Sequence, residues 1–398
     1  MEFLSGPFKI RDILLHNDNW FIFYIQYSYL LRPAITENVI KVLSCKTPLL
    51  GFHLYTCPCC DSTKKIPHSC TSCGKIATDK WITHALKTMP NVSYQHITFT
   101  MPNEYWPLFR VNRYLLGELP AIAAGTVIKI CKKGKKRKHY LPGIFLAIHT
   151  AGRDVEKFNY HIHLSTTVGG FSIENKNKFI NGSTIDHKII KSMWRYQITT
   201  LLRNHFKNGK LYPYPAVKNY FINLTTFNKW LDSHYQKSWN VFLQKPKKDP
   251  KQTVNYLGKY LKRPPLAETK ILSYDGESVT FTFVDHYTDS KQTKTIEVFD
   301  FIKALICHIP DKYFRMVRYY CFFANRVRTK YLKLLNPNFK PGPAKHISYA
   351  QQFYNSFGKN PLECVCGHVL LLRSVLFAKP MIDLLQKHNL KASRLTAT

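Results

Sequence analysis

Residues 158–170, FNYHIHLSTTVGG, restrict the possible architectures more than any other stretch of the chain. Their β-branched and aromatic side chains predict a strand, closed by Gly169 and Gly170. Further strand-like runs stand at 91–100 (NVSYQHITFT) and 140–150 (YLPGIFLAIHT), and 186–206 repeats apolar residues at helical spacing. Strands and helices therefore alternate, but no turn between them carries the glycine-rich phosphate loop of a doubly wound sheet. An α+β fold with a central antiparallel sheet flanked by helices is expected. Residues 104–130 read mainly as helix, 18–45 as two helices divided by Pro33, and 270–287 as a hairpin turning at Asp275-Gly276. The stretch 315–335, RMVRYYCFFANRVRTKYLKLL, reads as a helix with arginines on several faces, within a separate basic module.

Charge narrows the partner. The 398 residues hold 58 lysines and arginines against 24 acidic residues, a net +34, and aromatic residues make up 14%. A surface of one sign that also carries rings able to stack on bases points to nucleic acid. The longest apolar run, WFIFYIQYSYLL from Trp20, is short of a bilayer span and contains Gln26 and Ser28, so no membrane partner is expected. The first residues lack the pattern of an export signal, which predicts a cytoplasmic, nucleoid-associated bacterial protein.

Eleven cysteines bunch instead of spreading in pairs, which in a reducing compartment favours metal over disulfides. In CPCCDSTKKIPHSCTSC the spacing offers Cys57, Cys60, Cys70 and Cys73 as four thiolates for a closed structural Zn²⁺ site. A shifted set recruiting Cys59 or His68 stays open. Cys364, Cys366 and His368 form a weaker group without a matching partner pair nearby.

Two further pairs carry the chemistry. His161 and His163, at i and i+2 of the expected strand, turn two imidazoles to one face. Tyr256 and Tyr260 stand one turn apart in NYLGKYLKRPP, a short helix opened after Asp249 and Pro250 and stopped by Pro264 and Pro265. Either spacing alone arises by chance in a chain with 17 histidines and 24 tyrosines. Together they match what cleavage of a phosphodiester by tyrosine requires. A phenol with a pKa near 10 is almost wholly protonated at neutral pH, and its target is anionic. A divalent ion, Mg²⁺ or Mn²⁺, on the imidazoles and a third ligand would polarise the phosphate.

LAIHTAGRDVEKFNYHIHLSTTVGG, VNYLGKYLKRPP, SYDGESVTFTF, HIPDKYFRMVRYYCFFANR and the leading YTCPCC, SCTSCGK and TDKW blocks run in an order that resembles the two-tyrosine HUH transposases of rolling-circle insertion sequences. These are the insertion-sequence-ninety-one family, relatives of the helitron transposases, and the resemblance spans roughly residues 20 to 370. It implies an HUH endonuclease fold, a metal on His161 and His163, and Tyr256 and Tyr260 as nucleophiles that nick and rejoin single-stranded DNA at the element's ends. The third ligand is expected from His149, Glu156 or Gln252, in that order. The chain departs from the pattern at SCTSCGK, which is shortened, and at CVCG, one residue short of Cys-x2-Cys; the latter argues against a C-terminal metal.

The expected division is 1–45 as an N-terminal helical DNA-binding segment, 46–89 as a zinc ribbon, 90–285 as the catalytic domain and 286–398 as a basic C-terminal module. Lys259, Lys262 and Arg263 flank the tyrosines and are expected to grip phosphates. Lys132, Lys133, Lys135, Lys136, Arg137 and Lys138, in the run KKGKKRKH, are expected to add salt-dependent affinity without sequence choice. No GxxxxGK[ST] loop occurs, so strand separation is expected from the host's replication or unwinding machinery. The competing readings are a plasmid replication initiator or relaxase of the same chemistry, and a zinc-ribbon DNA-binding repressor in which the histidines and tyrosines only pack.

Overall fold

The computed structural model describes residues 8–67, 71–133, 139–237, 239–258, 265–285, 288–340 and 347–396, the side chains of 71–73 and 133 excepted. Three short helices open the chain: α1 (Ile10–Leu15), α2 (Asn19–Tyr27) and α3 (Pro33–Leu43). Pro33 sits in the first turn of α3, where its missing N–H has no helical partner to lose. A hairpin of β1 (Phe52–Thr56) and β2 (Thr63–Pro67) then leads into α4 (Thr71–Thr88).

The central segment runs β3 (Tyr94–Phe99), α5 (Trp106–Val111), α6 (Leu119–Lys133), β4 (Tyr140–Ala151), β5 (Phe158–Ser172), β6 (Phe179–Asn181) and α7 (His187–Lys207). It continues through α8 (Leu224–Ser233), β7 (Val241–Leu243) and α9 (Pro250–Gly258). The last part comprises β8 (Ile271–Tyr274), β9 (Ser278–Val284), β10 (Lys291–Glu297) and α10 (Val298–Ile306). Then come β11 (Val317–Cys321), α11 (Asn325–Leu335), α12 (Tyr349–Phe357), β12 (Leu371–Leu376) and α13 (Met381–Thr396).

These strands make three antiparallel sheets, and the largest has the order β11-β4-β5-β3-β7 with β6 added beside β5. Alternation along its strands sorts side chains cleanly between two faces. Ile97, Phe99, Ile144, Leu146, Ile148, Tyr160, Ile162 and Leu164 enter the main core with Leu108, Leu119, Ala123, Val127, Trp194 and Ile198 from α5, α6 and α7. Residues 113–132 are long and apolar enough to cross a bilayer by composition, but the α6 part of this stretch instead covers the sheet. The opposite face is more polar, and a smaller core of Tyr94, Phe145, Ala147, Phe171, Leu257, Phe322 and Phe323 closes part of it.

Two expectations are revised. β5 does not stop at Gly169-Gly170 but runs through them to Ser172. Gly169 takes φ +122°, and a Cβ on Gly170 would strike the carbonyl of Leu141, so the pair lets two backbones close up inside the sheet. The 315–335 stretch is not one helix. Val317–Cys321 adds as β11 to the edge of β4, Phe322 and Phe323 plug the smaller core, and only then does α11 begin.

The strands of residues 286–398 are spread over all three sheets: β10 belongs to the β10-β9-β8 sheet, β11 to the main sheet, and β12 to the third sheet, β12-β1-β2. The first helices also pack across the chain: Trp20, Phe23, Ile35 and Val39 share one core with Ile271, Phe281, Phe301 and Ala392. The physical reason is that each short amphipathic unit lacks enough apolar surface to bury alone and finds it in a distant part of the chain.

Candidate active site and cysteine cluster

The polar face of the main sheet gathers the histidines. The register sets His149 of β4 opposite His161 of β5, with ring centroids 5.1 Å apart, and His163 follows on the same face at 4.9 Å from His161. β3 brings Thr98 opposite His163 and His96 opposite Ser165. These polar side chains share one face because β3, β4 and β5 are held in antiparallel register, which is more than the i, i+2 spacing could say.

Hydrogen bonds orient the imidazole rings. The Nδ1 of His161 lies 2.8 Å from the carbonyl of Asn159, an acceptor only, so this nitrogen carries the proton and Nε2 the lone pair. The Nδ1 of His163 lies 3.3 Å from Nε2 of His96, whose own Nδ1 is 3.1 Å from the Ser165 hydroxyl. One consistent assignment runs through all three: His163 donates to His96, His96 donates to Ser165, and Nε2 of His163 keeps its lone pair. The Thr98 hydroxyl stands 3.3 Å from both imidazole nitrogens of the His163–His96 hydrogen bond. Burial first, then the neighbouring imidazoles, hold His163 far below the usual histidine range; burial also lowers His149, and burial followed by the Lys247 charge pushes His96 down to about 3. Neutral imidazoles with assigned lone pairs are the chemistry a divalent ion needs, so the donor set fits one. It is more open than the cysteine cluster: among the described residues, only cysteine-containing groups bring three or more ligand atoms all within 4.8 Å of one another.

Tyr256 lies over this face on α9. Its ring meets His96 edge-on at 4.6 Å and stands 6.2 Å from the ring of His163. α9 is held there from behind by α4, where a Cβ on Gly258 would fall 2.6 Å from the Ile82 side chain. Tyr94, His96, Gln244, Lys245, Lys247, Thr253 and Tyr256 line a narrow cleft with no room for a water molecule.

Of the other expected site residues, Glu156 is ion-paired with Lys294 of β10, and Gln252 is exposed on α9 one turn before Tyr256. Lys132 is exposed at the end of α6. Tyr260, Lys259, Lys262, Arg263, the Lys133 side chain, and Lys135, Lys136, Arg137 and Lys138 lie outside the described residues. His96, Lys245 and Lys247 carry no signal of their own in the sequence. A lone histidine in a strand has no spacing partner, and its meaning comes only from cross-strand register.

The cysteines converge at the end of the β12-β1-β2 sheet. Cys57 and Cys60 flank the β1–β2 turn, and their sulfurs lie 3.4 Å from that of Cys366 and 3.5 Å from that of Cys364, respectively. All four sulfurs lie within 4.8 Å of one another. Cys70 and the side chain of Cys73, the partners expected from spacing, lie outside the described residues. Hydrogen bonds from the Ser62 hydroxyl and the Cys366 backbone hold the Cys364 thiol down to about 6.

Sequence comparison places the chain among transposases. Residues 143–330 match a family described as a putative transposase, and residues 17–101 match the transposase zinc-binding domain of the IS91 type. The chain is 34% identical over 349 residues to the transposase for insertion sequence element IS801 of Pseudomonas savastanoi pv. phaseolicola, covering 85% of this chain and 83% of that one. It is 23% identical over 310 residues to the putative transposase y4qJ of Sinorhizobium fredii, covering 76% and 77% of the two chains. No solved structure matches it significantly.

Proposed function

The chain belongs to the IS91 family of insertion-sequence transposases, and from that premise we propose that it cuts and rejoins single-stranded DNA through a phosphotyrosine formed on the histidine face of its main sheet. The observation that carries this reading is the convergence of His149, His161, His163 and Tyr256 on one face, with His161 oriented by the Asn159 carbonyl. In this reading the antiparallel sheet is that of an HUH endonuclease.

Tyr256 supplies the nucleophile. As the phenol gives up its proton, its oxygen bonds to phosphorus and the bond from phosphorus to the 3′ oxygen breaks; the departing 3′ oxygen takes up a proton, leaving a 5′-phosphotyrosine and a free 3′-hydroxyl. The energy of the cut bond stays in the ester, so a 3′-hydroxyl can reverse the step without a nucleotide cofactor. A divalent ion, Mg²⁺ or Mn²⁺, held by His161, His163 and His149 would draw charge from a nonbridging oxygen and align the phosphate with the phenol. His149 is favoured as third ligand because Glu156 is engaged by Lys294 and Gln252 faces solvent. Lys245 and Lys247 line the cleft at the phenol and are suited to hold the flanking phosphates. Tyr260, four residues further along the chain, takes the second strand end while Tyr256 keeps the first. A structural zinc stiffens the β1–β2 hairpin, and the host's replication or unwinding machinery supplies the single strand.

The test is nicking of labelled single-stranded and duplex oligonucleotides that carry the element's ends. Tyr256→Phe and Tyr260→Phe should each retain part of the first nick, and the double variant should retain none. Undiminished nicking by the double variant, or equal cutting of relaxed duplex, contradicts the reading.

A further inference from the structure

We infer that the structural zinc is held jointly by the two ends of the chain, with Cys57 and Cys60 from the first hairpin and Cys364 and Cys366 from the turn before β12. This does not depend on the phosphotyrosine reading and can fail without it.

The backbone places the two turns together. β12 runs antiparallel to β1 from Phe52 opposite Leu376 to Thr56 opposite Leu371, so the residues just after Thr56 and just before Leu371 emerge at the same end of the sheet. The second turn is tight: the Cys364 N–H donates to the His368 carbonyl at 2.9 Å, the Gly367 N–H to the Cys364 carbonyl at 3.0 Å, and Gly367 takes φ +84°. On the first turn the Cys59 N–H donates to the Cys57 sulfur at 3.5 Å, the type of bond that orients a thiolate toward a metal.

The sulfur separations suit a tetrahedral metal and not a disulfide. A tetrahedral zinc with Zn–S near 2.3 Å sets sulfurs about 3.8 Å apart, whereas a disulfide brings them to about 2.05 Å. The Cys57–Cys366 and Cys60–Cys364 separations of 3.4 and 3.5 Å fit the first and are far too long for the second. The sheet also needs a cross-link. Among the described residues its buried core is Tyr55, Cys57, Ile66, Cys364 and Leu370, with Tyr349 and Leu362 packed against it, and every residue of β12 is exposed. So small a core is the situation in which natural modules use a metal. Cys57 and Cys366 are 309 positions apart, so the spacing rules that find knuckles in one short stretch cannot pair them.

Differential alkylation of the full-length wild-type protein, read by peptide mass spectrometry, tests this without relying on the folding of a variant. In zinc-loaded protein Cys57, Cys60, Cys364 and Cys366 should be protected together and lose that protection together on chelation, while exposed Cys59 reacts in both states. Modification of Cys364 and Cys366 at the rate of Cys59 in zinc-loaded protein overturns the assignment. A second readout uses Co²⁺ in place of zinc. Cys364→Ser with Cys366→Ser should lose the intense tetrathiolate absorption, whereas Cys70→Ser with Cys73→Ser should keep it; the reverse pattern assigns the site to the N-terminal stretch alone.

Discussion

Replacing His96 by alanine removes the acceptor that orients Nδ1 of His163 when His163 donates to His96, while every proposed metal ligand and the nucleophile keep their own side chains. Loss of such an outer partner costs metal affinity about 10–100-fold in other sites. His96→Ala should therefore raise the Mn²⁺ concentration needed for half-maximal nicking by that order, with the maximum largely restored at saturating metal; an unchanged metal requirement would make His96 mere packing. A second histidine sets an acid limit on the fold. His308 stacks on Phe158, its Nε2 donates to the Val155 carbonyl at 2.7 Å, and in the neutral ring its Nδ1 accepts from the Thr150 hydroxyl at 3.1 Å. Burial pushes its pKa down from 6.5 to about 4. The unfolded chain thus takes up a proton below pH 6.5 that the folded chain refuses until about 4. Stability from this group is complete above that window and is lost as pH falls through it. Urea midpoints across this range should decline in the wild type, with a shallower acid limb in His308→Phe.

At the level of elements, the helix that carries Tyr256 depends on its packing against α4. Gly258 has no room for a Cβ beside Ile82, so Gly258→Val should shift α9 and depress nicking while DNA binding persists, and Ile82→Ala should recover part of the loss. If Gly258→Val nicks normally, α9 is not held by that packing. The cleft lysines act differently. Lys245→Ala with Lys247→Ala should weaken single-stranded DNA binding evenly across sequences and reduce the slope of log affinity against log salt by about 0.7 for each phosphate no longer neutralised. What could be read from sequence at this scale follows from where the information sits. β5 and the parity of His161 and His163 are local, and so is the helix break at Pro33. The strand β11 was hidden because VRYYC is followed closely by the helical NRVRTKYLKLL, and only the open edge of β4 makes those five residues a strand.

The whole molecule is organised by long-range closure. Residues near both termini share the core around Trp20, whose indole N–H donates to His388 at 2.8 Å, and both ends supply the cysteine cluster. The basic C-terminal part gives one strand to each of the three sheets. The same limit explains the site. The histidine pair and Tyr256 were legible because each belongs to a short local pattern, while His96, Lys245, Lys247 and the Cys364–Cys366 turn acquire meaning only through register and distant pairing.

The most direct test of the central claim is to incubate the protein with labelled single-stranded DNA of the element's ends and Mn²⁺ or Mg²⁺, then digest it and map the DNA-bearing peptide by mass spectrometry. A phosphotyrosine enzyme gives a chelator-sensitive adduct in which a 5′-phosphate is esterified to Tyr256 or Tyr260. DNA that is bound and cut with no nucleotide on either tyrosine, or an adduct that forms equally well in chelator, would contradict it.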